Sequence, residues 1–298
     1  MKRLVLFFLL VGAVFAAGYA SARWLHQRSV AAAREEVFDH GFRPNPFPLQ
    51  NRPFVVVVEG YNNGASVEKT LKSLFSQNYE NFRIIYIDDA SNDGSYELAR
   101  DLLYDSDHLL KVTLVRNEKR GGDLSNLVRA VEVCADEEIV VVLDGNDWLS
   151  HEWVLQRLNA YYADPDLWLT FGSSRDFPTF QMGEAKAFKA KELRDGFRGA
   201  SFGSFHLKTF YAALFRKIQE ADLIFQGKFL SNELAYMIPL LEMGRDHFQY
   251  VSEILYICNR QMAMKEDREL RERSERFIRS LNPYTVLSLL PFKSEEMP

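Results

Sequence analysis

The stretch Phe54-Val-Val-Val-Val-Glu59 constrains the fold more than any other in the chain. Five apolar residues in an unbroken run are too few for a stable helix. Without polar alternation, a strand built from them has both faces covered. Strands of that kind belong to parallel sheets, where each link to the next strand is a crossover helix. The following sequence supplies the crossover: Gly60-Tyr61-Asn62-Asn63-Gly64 turns the chain, and Val67, Leu71, Leu74 and Phe75 recur at helical spacing. The unit then repeats. Phe82 to Ile87 and Val112 to Val115 have strand character, Tyr96 to Tyr104 and Asp123 to Cys134 helical character, and Ile139 to Leu143 is a fourth strand. This order predicts a three-layer α/β/α sandwich with a mostly parallel central sheet and right-handed crossovers.

The second half is less regular. A helix is expected over residues 153–162, a strand over 167–172, and a segment of little periodicity over 173–204, long enough to suggest function or mobility. Helices are expected over 209–218 and 233–242, a strand over 250–257, a solvated charged helix over 265–281, and a disordered tail from Lys293.

Ahead of the domain, Met1-Lys2-Arg3 precedes an uncharged stretch from Leu4 to Ala22, close to the ~20 residues that span a bilayer. A single-pass membrane anchor is the favoured reading. Ala20-Ser21-Ala22 also has the small-x-small form of a signal-peptidase site, so cleavage and secretion is the alternative. Lys2 and Arg3 on one side face Arg23 and Arg28 on the other, and charge does not set the orientation. The expected organisation is an anchor or signal at 1–22, a Pro-rich stalk at 23–52, one domain at 53–260 with halves 53–150 and 151–260, and a helix and tail at 261–298. A net charge of -5 with no long Lys/Arg block argues against nucleic acid as a partner. Cys134 and Cys258 lack metal-ligand spacing; buried thiols are the simpler reading and a disulfide the other.

Open α/β sheets bind ligands outside the carboxyl ends of their strands. Tyr61, Asp88, Asp89, Lys119, Arg120, Asp144 and Asp147 all fall there. A pocket for a nucleoside diphosphate needs an aromatic platform for the base, an acceptor for an imide N–H and a cation for the phosphates. Tyr61, Asp89 and the Asp144/Asp147 pair are of the right types. Singly, each is as well explained as a packing or turn residue, and Gly121-Gly122 as a turn. Their recurrence at three consecutive strand ends favours the pocket. No phosphate-binding G-x-x-x-x-G-K-[ST] loop and no G-x-G-x-x-G fingerprint is present, which disfavours P-loop and Rossmann chemistry.

Several of these motifs together resemble an inverting family-two glycosyltransferase of GT-A fold, a member of the nucleotide-diphospho-sugar transferases. They are Tyr61-Asn62-Asn63, the run from Leu71 through Gln77, Asp88-Asp89-Ala-Ser91-Asn-Asp93-Gly94-Ser95 and Leu143-Asp144-Gly-Asn-Asp147-Trp148. Ser204-Phe-His206-Leu-Lys208 and Asn232-Glu233 through Glu242-Met resemble the acceptor-side half of the same family. The resemblance implies a nucleotide-diphosphate sugar as donor and Mn2+ or Mg2+ as cofactor. It also implies a carbohydrate, lipid-linked or protein acceptor. By position, Tyr61 matches the base-stacking aromatic, Asp89 the carboxylate that hydrogen-bonds the base, and Asp144 and Asp147 the metal motif, with Asp147 as the more direct ligand. Lys119 or Arg120 would assist at the diphosphate, and Glu233 would be the base that takes the acceptor's proton. His206 is a further candidate for contact with diphosphate, metal or acceptor, packing being its commoner role. Trp148, Trp153 and Trp168 are sugar-platform candidates on the same terms. The chain departs from the family pattern at Asn146, where many relatives carry Asp, and at Asn232-Glu233, which keeps a single carboxylate. A catalytically silent relative that binds sugar or serves as a scaffold, and a nucleotidyltransferase, are the competing readings.

Overall fold

The computed structural model describes residues 48–203, 205–262 and 268–292 of the chain. The expected membrane segment, most of the stalk and the tail from Lys293 lie outside these residues. Among the described residues no helix is long and apolar enough to cross a membrane.

Strand β1 (Phe54–Gly60) is the middle of the first half. Phe54 through Val58 are each at most 1% exposed, so neighbours of both parities are covered, as the unbroken apolar run requires. β1 pairs in parallel with β2 (Phe82–Asp88) on one side and with β4 (Ile139–Asp144) on the other, and β3 (Val112–Arg116) adds to β2. Between the strands run α1 (Gly64–Phe75), α2 (Ser95–Tyr104) and α3 (Asp123–Glu132). α1 buries Val67, Leu71 and Leu74 and exposes Glu68, Lys69 and Lys72, the amphipathic division its spacing predicts.

The second half completes a sheet of eight strands, counted among the described residues, in the order β3-β2-β1-β4-β7-β6-β10-β5. Its members are β5 (Trp148–Leu149), β6 (Leu169–Phe177), β7 (Lys208–Tyr211) and β10 (Phe248–Asn259). Four of the strand pairs are parallel and three antiparallel, which makes the sheet mostly parallel. The remaining elements are α4 (Val154–Tyr161), α5 (Ala190–Asp195), α6 (Ala212–Phe215), the hairpin β8 (Ile224–Phe225) and β9 (Lys228–Phe229), α7 (Leu234–Gly244) and α8 (Arg268–Ser280).

Three expectations change. The helix foreseen over 209–218 is strand β7 followed by the single turn of α6. Thr209, Phe210 and Tyr211 are good strand formers, and pairing with β4 and β6 decides the matter. β6 runs on to Phe177, so the irregular segment is shorter than foreseen. The C-terminal helix is docked as well as solvated: Ile278 is buried, and Arg279 donates to the carbonyls of Arg198 (2.5 Å) and Ala200 (2.9 Å). Both cysteines are buried free thiols, and Trp148 and Trp168 are core residues while Trp153 is exposed.

The loops after β1 and β4 are locked together. Asn63, fully buried, donates from Nδ2 to the Gly145 carbonyl (2.7 Å) and the Tyr86 hydroxyl (3.0 Å), and Gly145 N–H donates to the Glu59 carbonyl (2.8 Å). A Cβ at Gly145 would stand 2.6 Å from Asn63 Nδ2, 2.8 Å from the Glu59 carbonyl oxygen and 2.9 Å from Gly60 Cα. Two of those atoms are backbone and cannot step aside. Gly145→Ala is therefore expected to lower stability by about 1–3 kcal/mol in urea denaturation, the usual cost of overpacking; an unchanged midpoint would show that the loops are not in close contact.

Candidate active site

Parallel pairing puts the carboxyl ends of β1, β2, β3 and β4 at one edge. Gly60 lies beside Asp88, Asp88 beside Arg116, and Glu59 beside Asp144. Side chains at paired positions share a face, so Glu59 and Asp144 point the same way and Asp88 the opposite way. Asp88 is fully buried, its Oδ2 accepting the Ser91 N–H (3.0 Å) with Arg116 Nε at 4.0 Å. Although it was expected with Asp89 in the pocket, Asp88 shapes the turn on the other face.

Asp89 is the centre of a polar nest. Its Oδ1 accepts from Asn117 Nδ2 (2.7 Å) and Gly121 N–H (2.8 Å), and its Oδ2 from Gly122 N–H (2.9 Å). Burial pushes its carboxyl up, but the donors of Gly121, Asn117 and Gly122 outweigh burial and hold it below the ordinary carboxylate range. Gly121-Gly122, which the sequence suggests is only a turn, is thus the backbone partner of Asp89, and the positive φ of Gly122 (85°) suits glycine. With four lone pairs and three donors, the carboxylate keeps one acceptor position, on Oδ2. Arg120 Nε stands 3.9 Å from that oxygen, and its guanidinium carbon lies 3.8 Å from the centroid of the Tyr61 ring. Lys119 is exposed at the same loop.

The two aspartates after β4 have unequal surroundings. Asp144 is exposed, with Oδ1 accepting the Asn146 N–H (2.8 Å). Asp147 is 5% exposed, with Oδ2 accepting the Tyr256 hydroxyl (2.6 Å) and Oδ1 the Asn259 N–H (2.7 Å). Burial first and the charge of Asp144 second push the Asp147 carboxyl up to about 6. Asp147 therefore ties β10 to the motif, and the open oxygens belong to Asp144 and Asn146, whose Oδ1 is buried without a hydrogen-bond partner. Among the described residues no three His, Cys, Asp or Glu side chains gather as a metal-holding group. An aspartate and an amide oxygen still suit a hard cation that keeps waters and takes its remaining ligands from a substrate phosphate.

On the far side of β4, Lys208 and Glu233 form a largely buried pair, Nζ to Oε2 at 2.6 Å, and Glu233 Oε1 accepts the Phe205 N–H (3.1 Å). Burial would raise the Glu233 carboxyl, but the Lys208 ammonium, with His206 and these hydrogen bonds, holds it low. Sequence patterning could not pair residues 25 positions apart. Glu59 and Asp123 join the floor of the same region: Glu59 is raised well above the ordinary range by burial, then by Asp123 and Asp144, and Asp123 is raised by burial, then by Asp144.

His206 stacks on Tyr256, with ring centroids 4.5 Å apart, and its Nδ1 is buried without a partner. Burial first and the Lys208 charge second push it down to about 3 from an ordinary value of 6.5. The folded state thus refuses a proton that the unfolded chain accepts. Its contribution to stability is complete above pH 6.5 and is lost as pH falls toward 3. His206→Gln is expected to flatten the acid limb of the stability profile between pH 6.5 and 4, where the native chain loses up to ~1.4 kcal/mol per pH unit from this residue; parallel profiles would show that the imidazole titrates normally.

The model of the family described as "Glycosyl transferase family 2" matches residues 55–219, more than half of the chain and the whole strand edge described above. An uncharacterized protein of Mycobacterium tuberculosis is 33% identical over 120 residues, which cover 40% of this chain and 35% of that protein. The chain spans about a third of the length of the curated relatives it matches. Among solved structures, residues 1–349 of S. aureus TarS in complex with UDP give a TM-score of 0.53 at 16% identity, covering 76% of this chain and 64% of that one. The mannosyltransferase PcManGT from Pyrobaculum calidifontis, in complex with GDP-Man and Mn2+, gives 0.50 at 17%, covering 77% and 63%. At these identities the likeness is one of fold, the GT-A arrangement. On the family match, the chain belongs to glycosyl transferase family 2.

Proposed function

We propose that the chain is a metal-dependent, inverting glycosyltransferase that moves a sugar from a nucleoside-diphosphate donor to an acceptor hydroxyl. The observation that carries this reading is the meeting of Tyr61 and Asp89 with the free oxygens of Asp144 and Asn146 at adjoining parallel strand ends. The base stacks on Tyr61 in the place now covered by Arg120, and its N–H takes the remaining acceptor position of Asp89. Once displaced, Arg120 stays tethered beside the pocket, where it and Lys119 meet the diphosphate. Asp144 and Asn146 are the residues that would hold Mn2+ or Mg2+, and such a cation would supply Lewis-acid stabilisation of the charge that develops on the leaving diphosphate.

The acceptor hydroxyl attacks the anomeric carbon from the face opposite the diphosphate, which inverts that centre in one displacement. Glu233 takes the hydroxyl proton. Lys208 keeps it ionised at neutral pH and fixes its orientation, and a carboxylate held that low accepts the proton only as the hydroxyl becomes acidic in the transition state. The acceptor hydroxyl belongs to a carbohydrate, a lipid-linked saccharide or a protein. In this reading, residues 4–22 tether the domain to a membrane.

The reading is tested by measuring nucleoside diphosphate release from UDP- and GDP-sugars with and without Mn2+. Transfer releases the diphosphate, a nucleotidyltransferase would release pyrophosphate from a triphosphate, and sugar binding without turnover would mark a silent relative. Tyr61→Ala is expected to weaken UDP or GDP binding about tenfold or more, as for other lost base-stacking platforms. Asp144→Asn should remove the Mn2+ dependence of that binding. Glu233→Gln should leave donor affinity intact while transfer falls ~100-fold or more, the usual loss for a general base; near-normal turnover would assign the proton to another group.

A further inference from the structure

Glu59 is the penultimate residue of β1 and the one charged side chain in a strand of phenylalanine, valine and a final glycine. Its Oε1 is fully buried without a hydrogen-bond partner, a costly state for an acid in the middle of a sheet edge. Lys208, the cation that acts on it, is already bound to Glu233. On β2 its paired neighbour is Ile87, and on β4 it is a carboxyl. Glu59 pairs with Asp144 in the parallel register of β1 and β4, and adjacent strands lie about 4.8 Å apart with paired side chains on one face. Asp123, at the start of α3, adds a third negative group.

A divalent cation at the Asp144 motif needs more charge than that motif gives. Asp147 is buried with each oxygen already accepting one hydrogen bond, from Tyr256 and from Asn259, and Asn146 offers an amide oxygen without charge. Asp144 is then the one exposed carboxylate of the motif, which leaves the rest of a dication's charge to the substrate diphosphate and to acids on neighbouring strands. We propose that Glu59 is a ligand of that cation, supplying from β1 the second carboxylate that the loop after β4 does not provide. One ion then satisfies two of the buried oxygens that lack partners, Glu59 Oε1 and Asn146 Oδ1, and relieves the repulsion between Glu59 and Asp144. Asp123 is less suited: although its carboxyl lies near enough to the floor to be raised, the residue stays open to solvent at the start of α3, whereas Glu59 Oε1 is enclosed.

This inference rests on the metal-dependent reading above, and its test separates the two. Mn2+ binding to the full chain in the presence of UDP is measured by the loss of the free-Mn2+ spin-resonance signal, for the native protein and for Glu59→Gln, Asp144→Asn and Asp123→Asn. Glu59→Gln should weaken Mn2+ binding at least tenfold, as Asp144→Asn does, while Asp123→Asn stays within about twofold of native. UDP affinity without Mn2+ and the metal-free melting temperature should be unchanged in Glu59→Gln, because the amide has the size and shape of the carboxyl. Glu59→Val, which extends the valine run, is a second variant without the carboxyl and should lose Mn2+ to the same degree. Native Mn2+ affinity in both Glu59 variants, with loss in Asp144→Asn, would overturn the role of Glu59 alone. Loss confined to Asp123→Asn would move the ligand to α3 and overturn it as well. No Mn2+ binding by the native protein with UDP present would remove the metal reading and this inference together.

Discussion

Every distance in the candidate site depends on β1 lying between β2 and β4 in parallel register. Because parallel strands end at the same edge, Tyr61, Asp89 and Asp144 arrive together without any long-range contact among their own side chains. The apolar run that makes this possible is stabilised by burial on both faces, roughly 1.5–3 kcal/mol for each large side chain removed from water. Asn63 then fixes the two loops that leave the edge. Its amide is wholly enclosed and reaches the Gly145 carbonyl, so the turn after β4 cannot shift relative to the turn after β1. A site built this way is rigid at its floor and adjustable only at its loops, as binding geometry on a strand edge requires.

The electrostatics of that floor are unbalanced by design of the sequence. Glu59, Asp123, Asp144 and Asp147 converge, and the ammonium among them is engaged by Glu233. Hydrogen bonds settle part of the strain, as at Asp147 with Tyr256 and Asn259. Among the described residues the carboxyls of Glu59 and Asp123 accept no such hydrogen bond, and like Asp147 they are pushed up. Folding alone gains nothing from such an arrangement, and the ligand it favours is positively charged. The base side is the reverse case. Asp89 is served by backbone and amide donors that hold its carboxyl low, keeps one acceptor position, and has Arg120 beside it over Tyr61. One edge therefore offers a stable anion for hydrogen bonding and, a few residues away, a set of acids that lacks a cation.

The first half of the fold was legible because its signals are local. Unbroken apolar runs give β1, β2 and β4, and the 3.6-residue spacing of Val67, Leu71 and Leu74 gives α1. The candidate residues at the strand ends follow from parallel topology alone. What stayed hidden depends on contacts between distant positions. Thr209-Phe210-Tyr211 runs directly into Ala212 to Phe215, an apolar stretch that suits either strand or helix, and only the partners β4 and β6 select a strand. Nothing near Asp147 in the sequence announces Tyr256 and Asn259, and Glu233 shows no local sign of Lys208. Gly121-Gly122 was visible as a turn, but its partnership with Asp89 requires the loop after β3 to fold back over the end of β2. The charged C-terminal helix looked solvated because its apolar residues are few, yet Ile278 is buried, Phe277 packs on Phe225 and Arg279 donates to the Arg198 carbonyl.

β7 joins these two levels of structure. By pairing antiparallel with β4, it places Lys208 opposite Val142, two residues before Asp144 and on the same face of the sheet. The lysine then reaches Glu233 at the start of α7 while its charge also acts on Glu59. One side chain thus lies between the acids of the β4 motif and the proposed proton acceptor. A cation bound among the acids would take over the neutralising part that Lys208 now plays toward Glu59, leaving its ammonium to Glu233 alone. The strand that sequence patterning misassigns is therefore the element through which the donor half and the acceptor half of the site share charge, and its antiparallel direction is what brings the lysine to that position.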